Sequence, residues 1–248
     1  MKIALIGYGK MGHEVESAAI LRSHEIVAKF DVDSPLSVES MQQSGAVVAI
    51  DFTQPDTVLG NMRIAARAGV PIVIGTTGWE KQMDAVASET KASGIACVFA
   101  SNFSIGVNLF LRIVAEASRL LDKADYDVYI NEAHHNAKKD FPSGTALRLA
   151  DAVLSGMKSK THFSSELEQG TAPQRDALYI SSIRAGAITG THTVGYDSAV
   201  DQIELTHRAK SRAGFALGAV RAAEWIVGRQ GMYRFEEHIN EILGISED

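Results

Sequence analysis

The chain is poor in three features: it has one cysteine, no excess of positive charge and no long hydrophobic run. Cys97 stands alone in the apolar segment IACVFA, so no disulfide forms within the chain, and we expect a buried thiol in a reducing compartment. The net charge of −6 is opposite to that of a nucleic-acid-binding surface. No apolar stretch approaches the roughly 18 residues of a membrane span, and the N-terminal apolar run breaks at Gly7, too early for a signal peptide. These absences predict a cytoplasmic protein that binds small molecules, with neither nucleic acid nor membrane as a partner.

The 248 residues, 46% of them hydrophobic and 22% charged, are enough for one or two globular domains. In the N-terminal part, continuous apolar runs alternate with stretches of helical periodicity. The predicted strands are 3–6, 26–30, 47–52, 71–74 and 95–100, and the predicted helices between them include 11–22, 57–68 and 80–93. This alternation is typical of a parallel sheet covered by helices on both faces, the doubly wound α/β class.

After about residue 105 the pattern changes, because apolar and polar residues now alternate along the strands. Strands are predicted at 126–131, 178–183, 191–196 and 201–207, and helices at 108–121, 142–154 and 215–227. The polar segment 158–176 is predicted to be a mobile loop. The sequence therefore predicts an α/β chain with a Rossmann-type doubly wound parallel sheet and a central α+β domain with an open mixed sheet.

A glycine-rich fingerprint, Gly7-Tyr8-Gly9-Lys10-Met11-Gly12, follows the first predicted strand and opens the first helix. In this context GxGxxG allows a tight turn, close approach of a pyrophosphate and binding of its charge at the helix N-terminus. The alternative is a glycine-rich turn without a ligand. A Walker A loop is excluded, because no Gly-Lys-Ser/Thr follows.

The acidic partner of this fingerprint is expected at the end of the second strand, where it would bind the ribose hydroxyls. Asp31 fits, and Asp33 is a lesser candidate with the alternative role of a solvated loop charge. An acid at this position favours NADH over NADPH. Lys10 offsets that preference if it meets a 2′-phosphate, and its alternative role is a solvated lysine at the helix start.

Two further strands end in small or polar loops, at Gly75-Thr76-Thr77 and at Ala100-Ser101-Asn102-Phe103. In a parallel sheet these loops share the carboxyl edge at which ligands bind. We assign both to the nicotinamide half of the cofactor site.

The segment EAHHNAKKDFPSGTA (132–146) concentrates chemically active side chains. Adjacent strand residues point to opposite faces, so His134 and His135 are poor joint metal ligands, and no metal is predicted. His134 and Lys138 offer an acid/base group and a cation. The turn and helix start at Ser143 and Thr145 offer hydroxyls and N–H groups to an anion, for which a carboxylate is the natural choice. The alternative is a hydrated loop with a surface histidine pair.

In these motifs the chain resembles the 4-hydroxy-tetrahydrodipicolinate reductase (dihydrodipicolinate reductase) family of the diaminopimelate–lysine pathway. The matching segments follow the family's order along nearly the whole chain. They are GYGKMG (7–12), DFTQP (51–55), GTTG (75–78), ASNFSIGVN (100–108), EAHHNAKKDFPSGTA (132–146), SIRAGAITGTHTVGY (182–196), IELTHRAKSR (203–212) and GAVRAAEWI (218–226).

The resemblance implies a dinucleotide domain, 1–105 completed by 214–248, and a hinged domain, 106–213, that binds substrate and forms homotetramers through its open sheet. It implies hydride transfer from NADH or NADPH to C4 of a small cyclic dicarboxylate, with loss of water and protonation at C3. By motif match, His134 is the acid/base residue and Lys138 its proton-donating partner. His135, Gly144 and Thr145 hold a substrate carboxylate.

The chain departs from the family pattern at a few positions. Asn136-Ala137 replaces a frequent Arg-His pair, which removes positive charge beside the substrate. Lys10 replaces the usual arginine, and Val32 stands where members that use NADPH well often have arginine. We therefore expect NADH to serve as well as NADPH or better.

Two other functions are alternatives to this reductase. Another Rossmann dehydrogenase of amino-acid metabolism has no need of the 132–146 segment. A non-catalytic NAD(H)-binding sensor would keep the fingerprint but has no use for His134 and Lys138.

Overall fold

A computed structural model of the chain describes residues 1–245; residues 246–248, at the end of the predicted segment 214–248, lie outside the described residues. The chain forms two compact units, Met1–Ile105 with Arg212–Asp248, and Gly106–Ser211. The predicted domain boundaries differ from these units only at Arg212 and Ala213, which were predicted to belong to the second domain and lie in the first unit. None of the helices within residues 1–245 has the length and hydropathy that crossing a bilayer requires.

The N-terminal part of the first unit alternates strands and helices. Its elements are β1 (Lys2–Ile6), α1 (Lys10–Leu21), β2 (Glu25–Phe30), α2 (Val38–Ser44), β3 (Val48–Asp51), α3 (Val58–Ala68), β4 (Ile72–Ile74), α4 (Met83–Ser93) and β5 (Ala96–Phe99).

The second unit begins with a long amphipathic helix and continues with a helix set among strands. Its elements are α5 (Ile105–Leu121), β6 (Asp127–His134), α6 (Gly144–Gly156), β7 (His162–Ser164), β8 (Ala177–Arg184), β9 (Thr191–Asp197) and β10 (Gln202–Arg208). The chain then returns to the first unit with α7 (Ala213–Ile226), β11 (Gly231–Arg234) and α8 (Ile239–Leu243).

The sheet of the first unit has the strand order β11-β5-β4-β3-β1-β2, and all of its strand pairs are parallel. Both faces are buried, which explains the continuous apolar runs. Ala4 and Ile6 of β1 pack in a cluster with side chains of α2, α3 and α4, while Ile3 and Leu5 are equally buried on the other face. The prediction of a doubly wound parallel sheet is confirmed. Cys97 is buried on β5, where burial raises the pKa of its thiol.

The sheet of the second unit is mixed, with the order β10-β9-β6-β8-β7. Strands β6, β7 and β8 are parallel, whereas β9 and β10 run antiparallel to their neighbours. Val128 and Ile130 of β6 are buried against α5 and α6, and Tyr129 and Asn131 on the opposite face are half-exposed. The predicted open mixed sheet is confirmed. Since Cβ direction alternates along a strand, Glu132 and His134 continue the covered face of β6 as buried polar groups.

Several predicted boundaries were wrong for local reasons. The helix predicted at 142–154 begins only at Gly144, because the Ser143 side chain caps it by accepting a hydrogen bond from the Ala146 N–H. Pro142 precedes this cap. The segment predicted as a loop at 158–176 contains β7, which pairs with β8. Helix α2, strand β11 and helix α8 were not predicted.

Candidate active site

The glycine fingerprint forms the turn between β1 and α1. Gly7 has φ +86°, and a Cβ there would lie 2.3 Å from the Phe52 carbonyl oxygen, so only glycine fits. At Gly9, by contrast, a Cβ would meet no atom within 4 Å. Helix α1 begins at the next residue with no side-chain cap. No side chain therefore caps the first N–H groups of α1, as a pyrophosphate site requires.

Asp31 follows the last residue of β2 and accepts hydrogen bonds from the Val32 and Tyr8 N–H groups, both at 2.8 Å. These two bonds, that from Val32 first, lower the pKa of Asp31. The carboxylate is exposed and ionised at neutral pH, so it can accept hydrogen bonds from ribose hydroxyls. Asp33 is exposed in the following turn.

A group of side chains that sequence reasoning missed lies beside Asp31. Lys29 Nζ lies 2.6 Å from Glu16 Oε1 and 2.8 Å from the Tyr8 hydroxyl, and it also lies over the Tyr8 ring. The cation nearest to Asp31 on β2 is thus already paired with a carboxylate. Lys10, in the fingerprint itself, is exposed.

The two predicted nicotinamide loops lie at the carboxyl edge of the same sheet. Gly75 and residues Ser101, Asn102 and Phe103 line a cavity of about 250 Å³ together with Met11 of the fingerprint. Residues Thr76, Thr77 and Ala100 line a neighbouring cavity. The first unit therefore brings the predicted cofactor residues of both loops and of the fingerprint to one edge, and this arrangement fits a dinucleotide.

A buried carboxylate ties these loops together. Asp51, fully buried at the end of β3, accepts hydrogen bonds from Thr53 N (3.0 Å), Thr53 Oγ1 (2.6 Å), Thr76 Oγ1 (3.0 Å) and Asn61 Nδ2 (2.8 Å). Burial raises the pKa of Asp51, and these hydrogen bonds oppose that effect. Asp51 thus fixes the Thr76 loop to β3.

In the second unit, His134 is the last residue of β6 and is 8% exposed. Its Nδ1 contacts Oε2 of Glu132, which has no exposed surface. The other oxygen, Glu132 Oε1, accepts hydrogen bonds from Arg184 Nη2 at 2.7 Å and from Ser143 N at 3.3 Å. Strand register explains the cluster, because Arg184 on β8 is paired with His134 and His192 on β9 is paired with Glu132.

The surroundings of this cluster leave Glu132 ionised and His134 neutral. Burial works to raise the pKa of Glu132, but hydrogen bonding from Arg184 and the nearby positive charges hold it below its ordinary value. Burial lowers the pKa of His134, and Lys138 and Arg184 lower it further against the opposing effect of Glu132. At neutral pH the pair is therefore an ionised carboxylate and a neutral imidazole.

His192 packs against this pair. Its ring lies 5.0 Å from that of His134, centroid to centroid, and its Nε2 lies 3.1 Å from Ser143 Oγ. Burial, followed by repulsion from His134 once that ring is protonated, lowers the pKa of His192 to about 4. His192 is therefore neutral in the physiological range.

The predicted substrate residues follow in the loop after β6 and in the first turn of α6. Lys138 Nζ is held by both carboxylate oxygens of Asp140, at 2.8 and 2.9 Å. His135 is half-buried. Gly144 is exposed and Thr145 half-buried at the helix start, whereas the buried Ser143 hydroxyl is already bonded to Ala146 N and to His192. The helix therefore presents N–H groups, more than hydroxyls, to an anion.

Glu132, His134 and His192 could also hold a metal ion, since one ligand atom from each lies within 4.8 Å of the others. His192 lies 58 residues from His134 along the chain, so the spacing of histidines in the sequence does not indicate this set. We do not assign these residues as metal ligands. Arg184 already binds Glu132, and its cation opposes a divalent ion at the same carboxylate.

Comparison with known proteins identifies the family. Residues 1–103 match the family model for "Dihydrodipicolinate reductase, N-terminus" and residues 106–239 that for "Dihydrodipicolinate reductase, C-terminus". Among curated relatives, 4-hydroxy-tetrahydrodipicolinate reductase of Christiangramia forsetii is 38% identical over 98% of this chain and 99% of that protein. The enzyme of the same name from Methanosarcina barkeri is 44% identical over 83% of this chain and 76% of that protein.

A solved structure shares the fold. The dipicolinate-bound dihydrodipicolinate reductase from Paenisporosarcina sp. TG-14 superposes with a TM-score of 0.77 and 24% identity, over 96% of this chain and 98% of that one. With two family models spanning most of the chain and relatives well above 30% identity, the resemblance stated from the sequence is confirmed. The chain belongs to the dihydrodipicolinate reductase family of NAD(P)H-dependent oxidoreductases, whose curated members are named 4-hydroxy-tetrahydrodipicolinate reductases.

Proposed function

We propose that this chain reduces 4-hydroxy-tetrahydrodipicolinate to tetrahydrodipicolinate with NADH or NADPH and releases water. Family membership supports the reaction class. The observation that carries the proposal is the buried Glu132–His134 pair, which lies in one unit with Lys138 and the first turn of α6. A sensor that only bound nucleotide would have no use for this cluster.

The substrate site in this proposal is built for a dianion. The N–H groups of Gly144 and Thr145 lie at the positive end of the α6 dipole and would hold one carboxylate. His135 would contact the same group. The Paenisporosarcina enzyme was solved with dipicolinate, itself a ring dicarboxylate, which supports a ligand of this class.

His134 and Lys138 handle the proton. Water is eliminated from the C4 hydroxyl and a proton of the neighbouring carbon C3, which leaves a double bond between these carbons. One hydride then adds at C4 and one proton at C3, so each turnover consumes one hydride and one proton. NADH or NADPH supplies the hydride when it is bound. Lys138, held by Asp140, donates the proton, and the Nε2 atom of the neutral His134 accepts and passes it to C3. The Glu132 carboxylate stabilises the imidazolium that forms on the way.

For the cofactor, we infer that NADH serves at least as well as NADPH. The ionised Asp31 repels a 2′-phosphate, Val32 offers no cation, and Lys29 is paired with Glu16. Lys10 is the exposed cation that could bind the 2′-phosphate and so favour NADPH.

The assay that tests the function follows NADH absorbance after addition of freshly prepared 4-hydroxy-tetrahydrodipicolinate to the purified chain. We expect substrate-dependent oxidation of NADH. If the nucleotide binds but is not oxidised, the chain is a binding protein and the proposal is wrong.

A further inference from the structure

Glu132 is a fully enclosed charged group beside the proposed acid/base residue of the candidate active site. It has no exposed surface, and its Oε1 atom is satisfied by Arg184 and by the Ser143 N–H. Oε2 contacts His134 Nδ1, and within residues 1–245 Nδ1 has no other partner. The Ser182 side chain also acts on this carboxylate and helps to lower its pKa. A buried carboxylate is costly unless it is paired, and here the imidazole is a partner of one of its oxygens.

We propose that Glu132 is a positioning residue for the reaction, which fixes the tautomer and the orientation of His134. Glu132 Oε2 accepts the Nδ1 proton of the imidazole, and Nε2 is left as the atom that exchanges protons with the substrate. An imidazole ring has two nitrogens, and the partner of one decides what the other does. This inference rests on the proposed role of His134.

Space at the working nitrogen supports this orientation. Gly190, in the turn before β9, has φ +155°, and a Cβ there would lie 3.0 Å from His134 Nε2. Any side chain at position 190 would crowd the nitrogen that the proposal assigns to proton exchange. The Nδ1 side is closed by Glu132, and on the Nε2 side the residue is a glycine, which brings no side chain against this nitrogen.

Arg184 completes the arrangement by linking both proton-handling residues. Its Nη2 donates to Glu132 Oε1 and also, at 2.6 Å, to the carbonyl oxygen of Asp140. Asp140 in turn holds Lys138 Nζ. One guanidinium therefore keeps Glu132 ionised behind His134 and anchors the loop that carries Lys138.

The charged and titratable groups around His134 come from each neighbouring element. They are Glu132 on β6, Arg184 on β8, His192 on β9, and Lys138 and Asp140 in the loop that follows β6. Glu132 is the acidic group in direct contact with the imidazole. Its removal should therefore make the imidazolium harder to form, while the other neighbours remain.

The test is Glu132→Gln, which keeps the shape of the side chain and removes its charge. We expect kcat to fall by roughly 10- to 10⁴-fold, from the loss typical of a partner that orients a ligand histidine to that of a carboxylate orienting a catalytic one, with KM changed far less. The pH profile of kcat should shift, with the apparent pKa of the acid/base group moving to lower pH. A residue that only supported the fold would leave that pKa in place.

A double-mutant cycle shows whether Glu132 acts through His134. Added to His134→Gln, Glu132→Gln should cost little further activity, because residues that act as a unit are not additive. Glu116→Gln, at an exposed ion pair on α5, is the matched control and should leave kcat and the pH profile unchanged. NADH affinity should be unchanged in every variant and reports that the chain is folded.

If Glu132→Gln does not fold, Glu132→Asp retains the charge on a shorter side chain and should lower kcat without the shift in pH profile. A wild-type kcat and pH profile in Glu132→Gln would overturn the inference, and so would a full additive loss in the His134→Gln background. An unimpaired His134→Gln would instead overturn the proposed function of the site.

Discussion

His134 combines burial, a carboxylate at Nδ1 and a glycine without a side chain beside Nε2, the surroundings of a proton-transfer group rather than of a surface histidine. We expect His134→Gln to lower kcat by roughly 10²- to 10⁴-fold, the usual contribution of a general acid/base. NADH affinity should not change, because the predicted nucleotide residues belong to the other unit.

Steady-state kinetics together with NADH titration check this prediction. His162→Gln is the matched control, because His162 is exposed on β7. Turnover in His134→Gln equal to that of the wild type would make His134 a structural residue.

Asp31 and Lys10 make opposing contributions to cofactor choice. We expect kcat/KM for NADH to equal or exceed that for NADPH, because Asp31 is ionised and Lys29 is neutralised by Glu16. Lys10→Ala should lower kcat/KM for NADPH more than for NADH if Lys10 meets the 2′-phosphate. A strong NADPH preference in the wild type would contradict the assignment of Asp31.

Residues such as Asp31 and His134 could be proposed from the sequence because motif spacing places them next to strand ends. Arg184 and His192 could not be proposed in this way, because they lie far from the motif along the chain. Arg184 lies 52 residues from Glu132 along the chain, and His192 lies 49 residues from Ser143. Only the pairing of β8 and β9 with β6 brings them together, and no local pattern in the sequence encodes that register.

At the scale of elements, the mixed sheet carries neutral histidines on strands β6, β9 and β10, buried on the first two and half-buried on β10. Burial is the first cause that lowers the pKa of His134, His192 and His207, in the case of His192 from 6.5 to about 4. The unfolded chain takes up a proton near pH 6.5, whereas folded His192 resists it down to about pH 4. The stability that His192 contributes is therefore complete above pH 6.5 and is lost as the pH falls towards 4.

We predict that His192→Asn reduces the acid sensitivity of the protein. Between pH 8 and pH 5 the wild type should lose about 2 kcal/mol more unfolding free energy than the variant, from one histidine with this shift. Urea denaturation followed by circular dichroism measures the difference. His162→Asn, on the exposed edge strand β7, should behave like the wild type, and an equal loss in His192→Asn would refute the prediction.

How well each element could be predicted depended on its burial and length. Strands β1, β3, β4 and β5 are buried on both faces, so their apolar runs were clear in the sequence. Helix α2 was missed because it has only seven residues and one buried side chain, Met41, despite the capping box of Ser37 and Ser40. Strand β11 (GMYR) lies at the sheet edge without a fully buried residue, and β7 has only three residues.

At the scale of the whole molecule, the mixed sheet has one open face, through which self-association is predicted. Tyr129 and Asn131 are half-exposed on the face of β6 opposite the one covered by α5 and α6. The family resemblance predicts tetramers formed through this sheet. Light scattering should give four times the chain mass of 26.7 kDa. A monomer at micromolar concentration would contradict the prediction.

The central claim is that this chain moves a hydride from the nicotinamide to a ring dicarboxylate, with His134 and Lys138 handling the proton. The most direct measurement is the mass of the product formed from 4-hydroxy-tetrahydrodipicolinate and NADH dideuterated at C4 of the nicotinamide. The account predicts tetrahydrodipicolinate that carries a single deuterium. An unlabelled product, or no substrate-dependent consumption of NADH, would contradict it.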